Sequence, residues 1–175
     1  EHEFFRKYVK KLNAGVTWAD QDFKSSNHFY HVSKGKGLYG FSDALTECEK
    51  YYDKSIQFLK HKEMERALFY FGASCHLIQD VTVPHHVNNK LLSSHRRFEL
   101  WIIGRLMTDY SFVAEDGAIV YDKVEDFIKN NAIMANSIYM KYINIQSRDE
   151  RYSKVAATII KEAERTTAGF MVKYY

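Results

Sequence analysis

One proline and eight glycines in 175 residues leave little to interrupt regular backbone. Long charged and apolar runs without such breakers favour helices over turn-rich β architectures. Two cysteines, Cys48 and Cys75, are too few for a disulfide framework. Cys75 lies inside an apolar run and reads as a small buried residue. No apolar run reaches the eighteen or so residues needed to span a membrane as a helix. The net charge is only +3, and the lysines and arginines are interrupted by Glu and Asp. No continuous basic stripe is present to follow a phosphate backbone. Nor is there an internal repeat, a low-complexity segment or a linker. The length is that of one domain with its own core, so residues 1–175 are expected to form a single domain.

What is present is helical periodicity. Phe4, Phe5, Tyr8, Val9 and Leu12 make an apolar stripe over residues 3–13, with Gly15 as its expected stop. Residues 16–41 lack periodicity and, with Gly15, hold four of the eight glycines, which predicts a long ordered loop. Ser42 is placed to cap a helix reaching residue 60. A further helix is expected over 62–81, with Ala67, Leu68, Phe71, Cys75 and Ile78 on one stripe and Pro84 beyond its end. Helices over 94–108, 122–144 and 149–173 complete the pattern. Between them, 109–122 carries an Asp-Gly turn signal consistent with a small hairpin or an irregular loop. The fold class is therefore all-α, a multi-helix bundle, whose ligand or metal sites lie between facing helices. The chain opens without Met and midway through a helical stripe, so a segment upstream of Glu1 is expected.

The histidines are distributed unevenly. Four of the eight, His76, His85, His86 and His95, fall within residues 76–95. His76 and His95 each have a carboxylate four residues on, Asp80 and Glu99, which in a helix places both groups on one face. With 22 acidic residues in 175, eight histidines give about one such pair by chance, and the sequence holds three. The third, His61 with Glu65, stands among charges and reads as a surface contact. His76 and Asp80 lie in the apolar run "FYFGASCHLIQD", where an unpartnered pair would be costly to bury. They are either a hydrogen-bonded structural pair or metal ligands.

The loop "TWADQDFKSSNHFYH" adds Asp20, Asp22, His28 and His31. Two groups emerge: Asp20, His28, His76 and Asp80, and separately His86, His95 and Glu99. Imidazoles and carboxylates without thiolates suit a catalytic zinc, and also manganese or iron. Asp22 is expected near the site or exposed, and His31 and His85 in a wall or at the surface.

The segments "WAD", "NHFY", "HLIQDVTVPHH" and "HRRFE" resemble, in order and spacing, the bacterial zinc-dependent phospholipase C family. That family includes phosphatidylcholine-preferring enzymes and the catalytic domain of clostridial alpha-toxin. The matching residues are His76, Asp80, Pro84, His86, His95 and Glu99, and "ERTTAGFMVKYY" is similar to the family's closing helix. The resemblance implies an all-α bundle of the phospholipase C / P1 nuclease type with two or three zinc ions. Asp20, His28, His76 and Asp80 would hold one ion, and His86, His95 and Glu99 a second. Asp80 would reach a third, whose other ligands in the family are an amino-terminal Trp and a His soon after it. Neither has a counterpart here, since Trp18 sits inside the "TWAD" loop.

The implied reaction is hydrolysis of glycerophospholipids to diacylglycerol and a phosphorylated head group by a zinc-bound water, with Asp20 as the carboxylate able to accept a proton. The implied partner is phospholipid at a membrane or micelle surface, without stable insertion, and the implied location is extracellular. Residues 31–41 and 109–117 are candidate surface-contacting loops. A zinc-dependent single-strand nuclease of the S1/P1 type shares the bundle plan. In those enzymes an Asp commonly stands at the place of Glu99 and disulfides are usual, and the weak basic character speaks against a nucleic-acid partner. A metal-binding but catalytically incomplete family member is the third reading.

Overall fold

The computed structural model describes residues 2–38 and 42–175. Seven α-helices lie among them: α1 (His2–Lys7), α2 (Val9–Ala19), α3 (Ala44–Lys60), α4 (Met64–Asp80), α5 (His95–Ile103), α6 (Val124–Tyr142) and α7 (Arg148–Tyr174). Short 3-10 turns cover Asp22–Asn27, Pro84–His86, Asn89–Ser94 and Tyr110–Phe112. No strand is formed among the described residues; an isolated bridge joins His31 and Lys36.

Helix α4 is the axis of the assembly. Its run of Ala67, Leu68, Phe71, Ala73, Leu77 and Ile78 is wholly buried, because α2, α3, α6 and α7 pack around it. Phe71 stacks on Tyr174 with ring centroids 3.9 Å apart, and Phe170 and Phe5 flank it at 5.1 and 5.8 Å. Buried polar groups are used to tie helices together. The Ser55 hydroxyl donates to the carbonyl of Ala67 at 2.7 Å and meets the Tyr174 hydroxyl at 2.6 Å. Asn131 Nδ2 lies 3.0 Å from both the Ile78 carbonyl and Thr166 Oγ1, joining α6 to α4 and α7. Such bonds matter in a dry core, where an unmade one carries the desolvation cost of the group.

Gly15 does not stop a helix. It lies within α2, whose backbone crosses α4 so closely that a Cβ at Gly15 would stand 1.8 Å from the Phe69 carbonyl oxygen. The contact is reciprocal, since a Cβ at Gly72 would stand 2.1 Å from the Leu12 carbonyl oxygen. The absence of side chains here, and not backbone freedom, explains both glycines. The helical backbone therefore continues to Ala19, and the irregular segment is shorter than 16–41.

Other expectations shift by smaller amounts. Asp43, not Ser42, caps α3, its carboxylate accepting from the Thr46 amide at 3.0 Å. Ser42 instead donates to Glu47 Oε1 at 2.8 Å. Helix α5 ends at Ile103, before the expected residue 108. His61 closes α3 and Glu65 opens α4, with Lys62 at a φ of 61° between them, so the two do not share a helical face. Glu65 pairs with Lys11 at 2.9 Å.

Segment 109–122 forms no hairpin but lies along α7. The Ala114 amide donates to Glu164 at 2.7 Å, and the Ile119 amide donates to the Arg165 carbonyl at 3.0 Å. Of the candidate surface-contacting stretch 31–41, residues 39–41 lie outside the described residues.

Replacing Gly72 by alanine forces the α2–α4 backbones apart and is expected to cost about 1–3 kcal/mol of stability, as other overpacked interiors do. Urea unfolding of Gly72→Ala measures this. An unchanged midpoint would show that the crossing has room to spare.

Candidate metal centre

The crossing of α2 and α4 brings the end of each helix to one place. Asp20 is the residue that closes α2, and His76 and Asp80 occupy the last turns of α4. After Asp80 the chain turns tightly: the Val83 amide donates to the Asp80 carbonyl at 2.9 Å and the His86 amide to the Val83 carbonyl at 3.0 Å. Pro84 begins a short 3-10 turn, a position where its missing N–H goes unneeded. This delivers His86 back toward Asp80. A second turn, Asn89–Ser94, leads into α5, which starts at His95 and carries Glu99 one turn later. His28 arrives from a distant loop, anchored where the Tyr30 amide donates to the His86 carbonyl at 2.9 Å and the Ala44 amide to the Phe29 carbonyl at 3.2 Å.

Asp80 is the junction. Its Oδ2 lies 2.7 Å from His28 Nδ1, 3.2 Å from His76 Nε2 and 3.7 Å from His86 Nδ1. Only the first contact is aligned as a hydrogen bond. His76 Nε2 is also 3.8 Å from Asp20 Oδ1. On the other side of His86, Nε2 is 3.9 Å from Glu99 Oε1, which lies 2.8 Å from His95 Nε2.

All seven expected residues therefore meet. Asp20, His28 and His76 offer donor atoms within 4.8 Å of one another, as do His86, His95 and Glu99. Asp80 stands between the two sets. They line one solvent-open cavity of about 530 Å³.

The charges are strongly coupled. Burial alone would push the Asp80 carboxyl up, but His86, His28 and His76 together hold it far below the usual carboxylate range. Burial disfavours the charged forms of His76 and His86. Asp80 and Asp20 outweigh this at His76, and Asp80 and Glu99 outweigh it at His86, so both imidazoles are raised. His86 and His95 bring Glu99 down to about 2.

The residues fit a metal. His76 Nε2 and His95 Nε2 are buried without a hydrogen-bond partner, although each approaches a carboxylate obliquely. An orphaned buried imidazole nitrogen is costly, and a cation placed among these atoms would satisfy both at once. Imidazoles and carboxylates are the donor set of catalytic zinc.

His85 takes neither a surface position nor a ligand position. It is buried at 4% exposure, stacked on Phe98 at 4.9 Å and on His95 at 5.8 Å, with Nε2 3.1 Å from Ser94 Oγ. Burial, with His95 and His86 nearby, lowers it to about 4, so it stays neutral as a wall behind His95. The residue pattern does not single out Ser94 or Phe98 as supports; only their places beside His95, on the same helix start, mark them. His31 lies outside the donor groups, with Nδ1 3.1 Å from Ser33 Oγ, and the Asp22 side chain lies outside the described residues.

Over residues 1–152 the chain matches the family described as zinc dependent phospholipase C. It is 25% identical to each of two phospholipases C of Bacillus cereus over 174 aligned residues, covering 86% of this chain and 61% of theirs. Its fold is similar to an alpha toxin from Clostridium absonum (TM-score 0.80, 16% identity, 98% of this chain and 54% of that one). An alpha-toxin from an avian strain of Clostridium perfringens superposes with a TM-score of 0.78 at 18% identity, over 98% of this chain and 54% of the toxin. The chain thus spans less than two thirds of the length of these relatives.

The protonation states give a pH-dependent prediction. Asp80 and Glu99 are lowered, so their contribution to stability is present above the ordinary carboxylate range and is lost as pH falls through the lowered values. His76 and His86 are raised, so theirs is complete below the ordinary imidazole value of 6.5 and is lost as pH rises through the raised values. A metal must displace those imidazole protons, so thermal stabilisation by added zinc is expected to grow from about pH 5.5 to about pH 8. Melting curves of the chelated chain with and without zinc at both pH values check this. An increment that is absent, or equal at both, overturns the ligand assignment.

Proposed function

This chain belongs to the zinc dependent phospholipase C family, and from that premise we propose that it is a metal-dependent phosphodiester hydrolase. It cleaves glycerophospholipids to diacylglycerol and a phosphorylated head group. The observation that carries the reading is the buried Asp80 carboxylate set between two donor groups in one open cavity. Asp20, His28, His76 and Asp80 would hold one zinc, and His86, His95 and Glu99 a second.

Zinc bound in these places would supply positive charge against the phosphodiester oxygens and make a water more acidic. The protein's own groups do the rest. His28 and His76, fixed against Asp80, present their nitrogens from rigid backbone, one from an anchored loop and one from α4. His86 and His95, with ring centroids 4.5 Å apart and edge to face, do the same for the second group. Asp20 is the most exposed member at the cavity rim, with 68% of its side chain open to solvent against 46% for Glu99. It would be both a metal ligand and the group that accepts the proton of the attacking water. That proton would then pass from Asp20 to the departing glycerol oxygen, which leaves Asp20 ionised again.

In this reading residues 1–175 are one catalytic domain that works outside the cell on a membrane or micelle surface. Among the described residues no helix is long and apolar enough to cross a membrane, and in this reading contact with lipid is transient.

The zinc-loaded chain is expected to release phosphorylated head group from phosphatidylcholine vesicles, and Asp20→Asn to lose roughly 10²–10⁴-fold of that rate. Single-stranded DNA is expected to survive the same assay. Cleavage of DNA with lipid untouched would replace this reading by the nuclease one, and an unchanged Asp20→Asn rate would remove Asp20 from the chemistry.

A further inference from the structure

His85, which also lines the cavity of the candidate metal centre, borders a second cavity of about 140 Å³ walled by α5, α6 and the start of α7. Three arginines, Arg97 from α5 and Arg148 and Arg151 from α7, line it with Tyr139 and Tyr152, and among the described residues no carboxylate does. The acidic residues next in sequence are engaged elsewhere. Asp149 accepts from Trp101 Nε1 at 3.2 Å and faces Arg105 at 3.8 Å, and Glu150 pairs with Lys154 at 3.6 Å. Arg151 gives one N–H to the Ile145 carbonyl at 2.6 Å, leaving the rest of its fork. No ion pair involves Arg97, Arg148 or Arg151 among the described residues. His85, 4% exposed, closes the inner wall, and its Nδ1 is buried without a hydrogen-bond partner.

Three like charges around one cavity, without an ion-pair partner among the described residues, disfavour one another, and an anion would relieve this. We propose that this cavity is a binding site for a phosphate group, free or as a monoester, separate from the metal centre. Guanidinium forks match the oxygens of phosphate in pairs, which a lysine cannot do. A cavity of about 150 Å³ admits a molecule the size of benzene, so this one has room for a four-oxygen anion and too little for a diacylglycerol. The first turn of the 27-residue α7 adds its positive dipole end on the same side. The phosphorylated head group released at the metal centre has this chemistry. Its identity as the natural occupant rests on the phospholipase reading, whereas the site itself does not.

The test is titration calorimetry on the chelator-treated full chain, so that no metal contributes, with inorganic phosphate in one arm and phosphorylcholine in the other. Saturable binding at millimolar concentration or tighter is expected. It should weaken at least about tenfold in Arg97→Gln and in Arg148→Gln, each of which removes charge-assisted hydrogen bonds. Both arginines are exposed, so these variants keep the fold. His76→Ala, at the metal centre, should bind phosphate as the parent does.

Tighter binding of phosphorylcholine would identify the head group as the occupant, and equal or weaker binding would identify phosphate itself. No saturable binding up to about 10 mM, or binding that survives both arginine variants or disappears in His76→Ala, overturns the proposal. Loss of lipid hydrolysis with phosphate binding intact would refute the phospholipase reading alone.

Discussion

A carboxylate cannot remain ionised in a largely buried position without partners, and the end of α4 is organised around that constraint. Asp80 shows 16% of its side chain to solvent and faces three imidazoles from three different segments. Desolvation of an isolated charge of this kind would cost several kcal/mol. The histidines turn that cost into a gain, and Asp80 in turn raises His76 and His86. The cluster is a set of mutually dependent charges, and a bound cation would replace protons within it.

The backbone arrangement follows from packing, not from the charges. Gly15 and Gly72 let α2 and α4 approach to backbone contact. His76 lies four residues beyond Gly72, about 6 Å along the helix, and Asp20 five residues beyond Gly15. The crossing therefore sets where Asp20 stands relative to His76. From Asp80 onward, tight turns bonded carbonyl to amide carry the chain through His86 to His95 in few residues. The stacked His85 and Phe98 then fix His95 from behind. Rigid support of this kind holds ligand atoms close to their working geometry.

The second packing cluster, of Phe98, Phe112, Tyr152, Val155, Ala156 and Ile159, is smaller than the one around α4. Phe98, Tyr152 and Val155 from it line the arginine-lined cavity. His85 belongs to the walls of both, so one buried imidazole divides a region rich in negative and metal-ligating groups from a region rich in guanidinium.

Much of the fold and of the site was legible from local pattern. Helix period, the stop imposed near Pro84 and the i, i+4 pairs His76–Asp80 and His95–Glu99 are properties of neighbours along the chain, fixed by 3.6 residues per turn. The same reasoning failed where two residues belong to different helices, as with His61 and Glu65, because spacing places groups on one face only if the helix continues. It also failed at Gly15, since a glycine that ends a helix and a glycine that admits a neighbouring backbone look alike in sequence.

The sequence by itself determined most of the helices and the types and order of the candidate ligands. Only the tertiary structure decided that His28, 52 residues from Asp80, meets it at 2.7 Å, that His85 is buried, and that Arg97 joins Arg148 and Arg151. Those juxtapositions depend on how helix faces pack across long sequence separations, and no local periodicity encodes that.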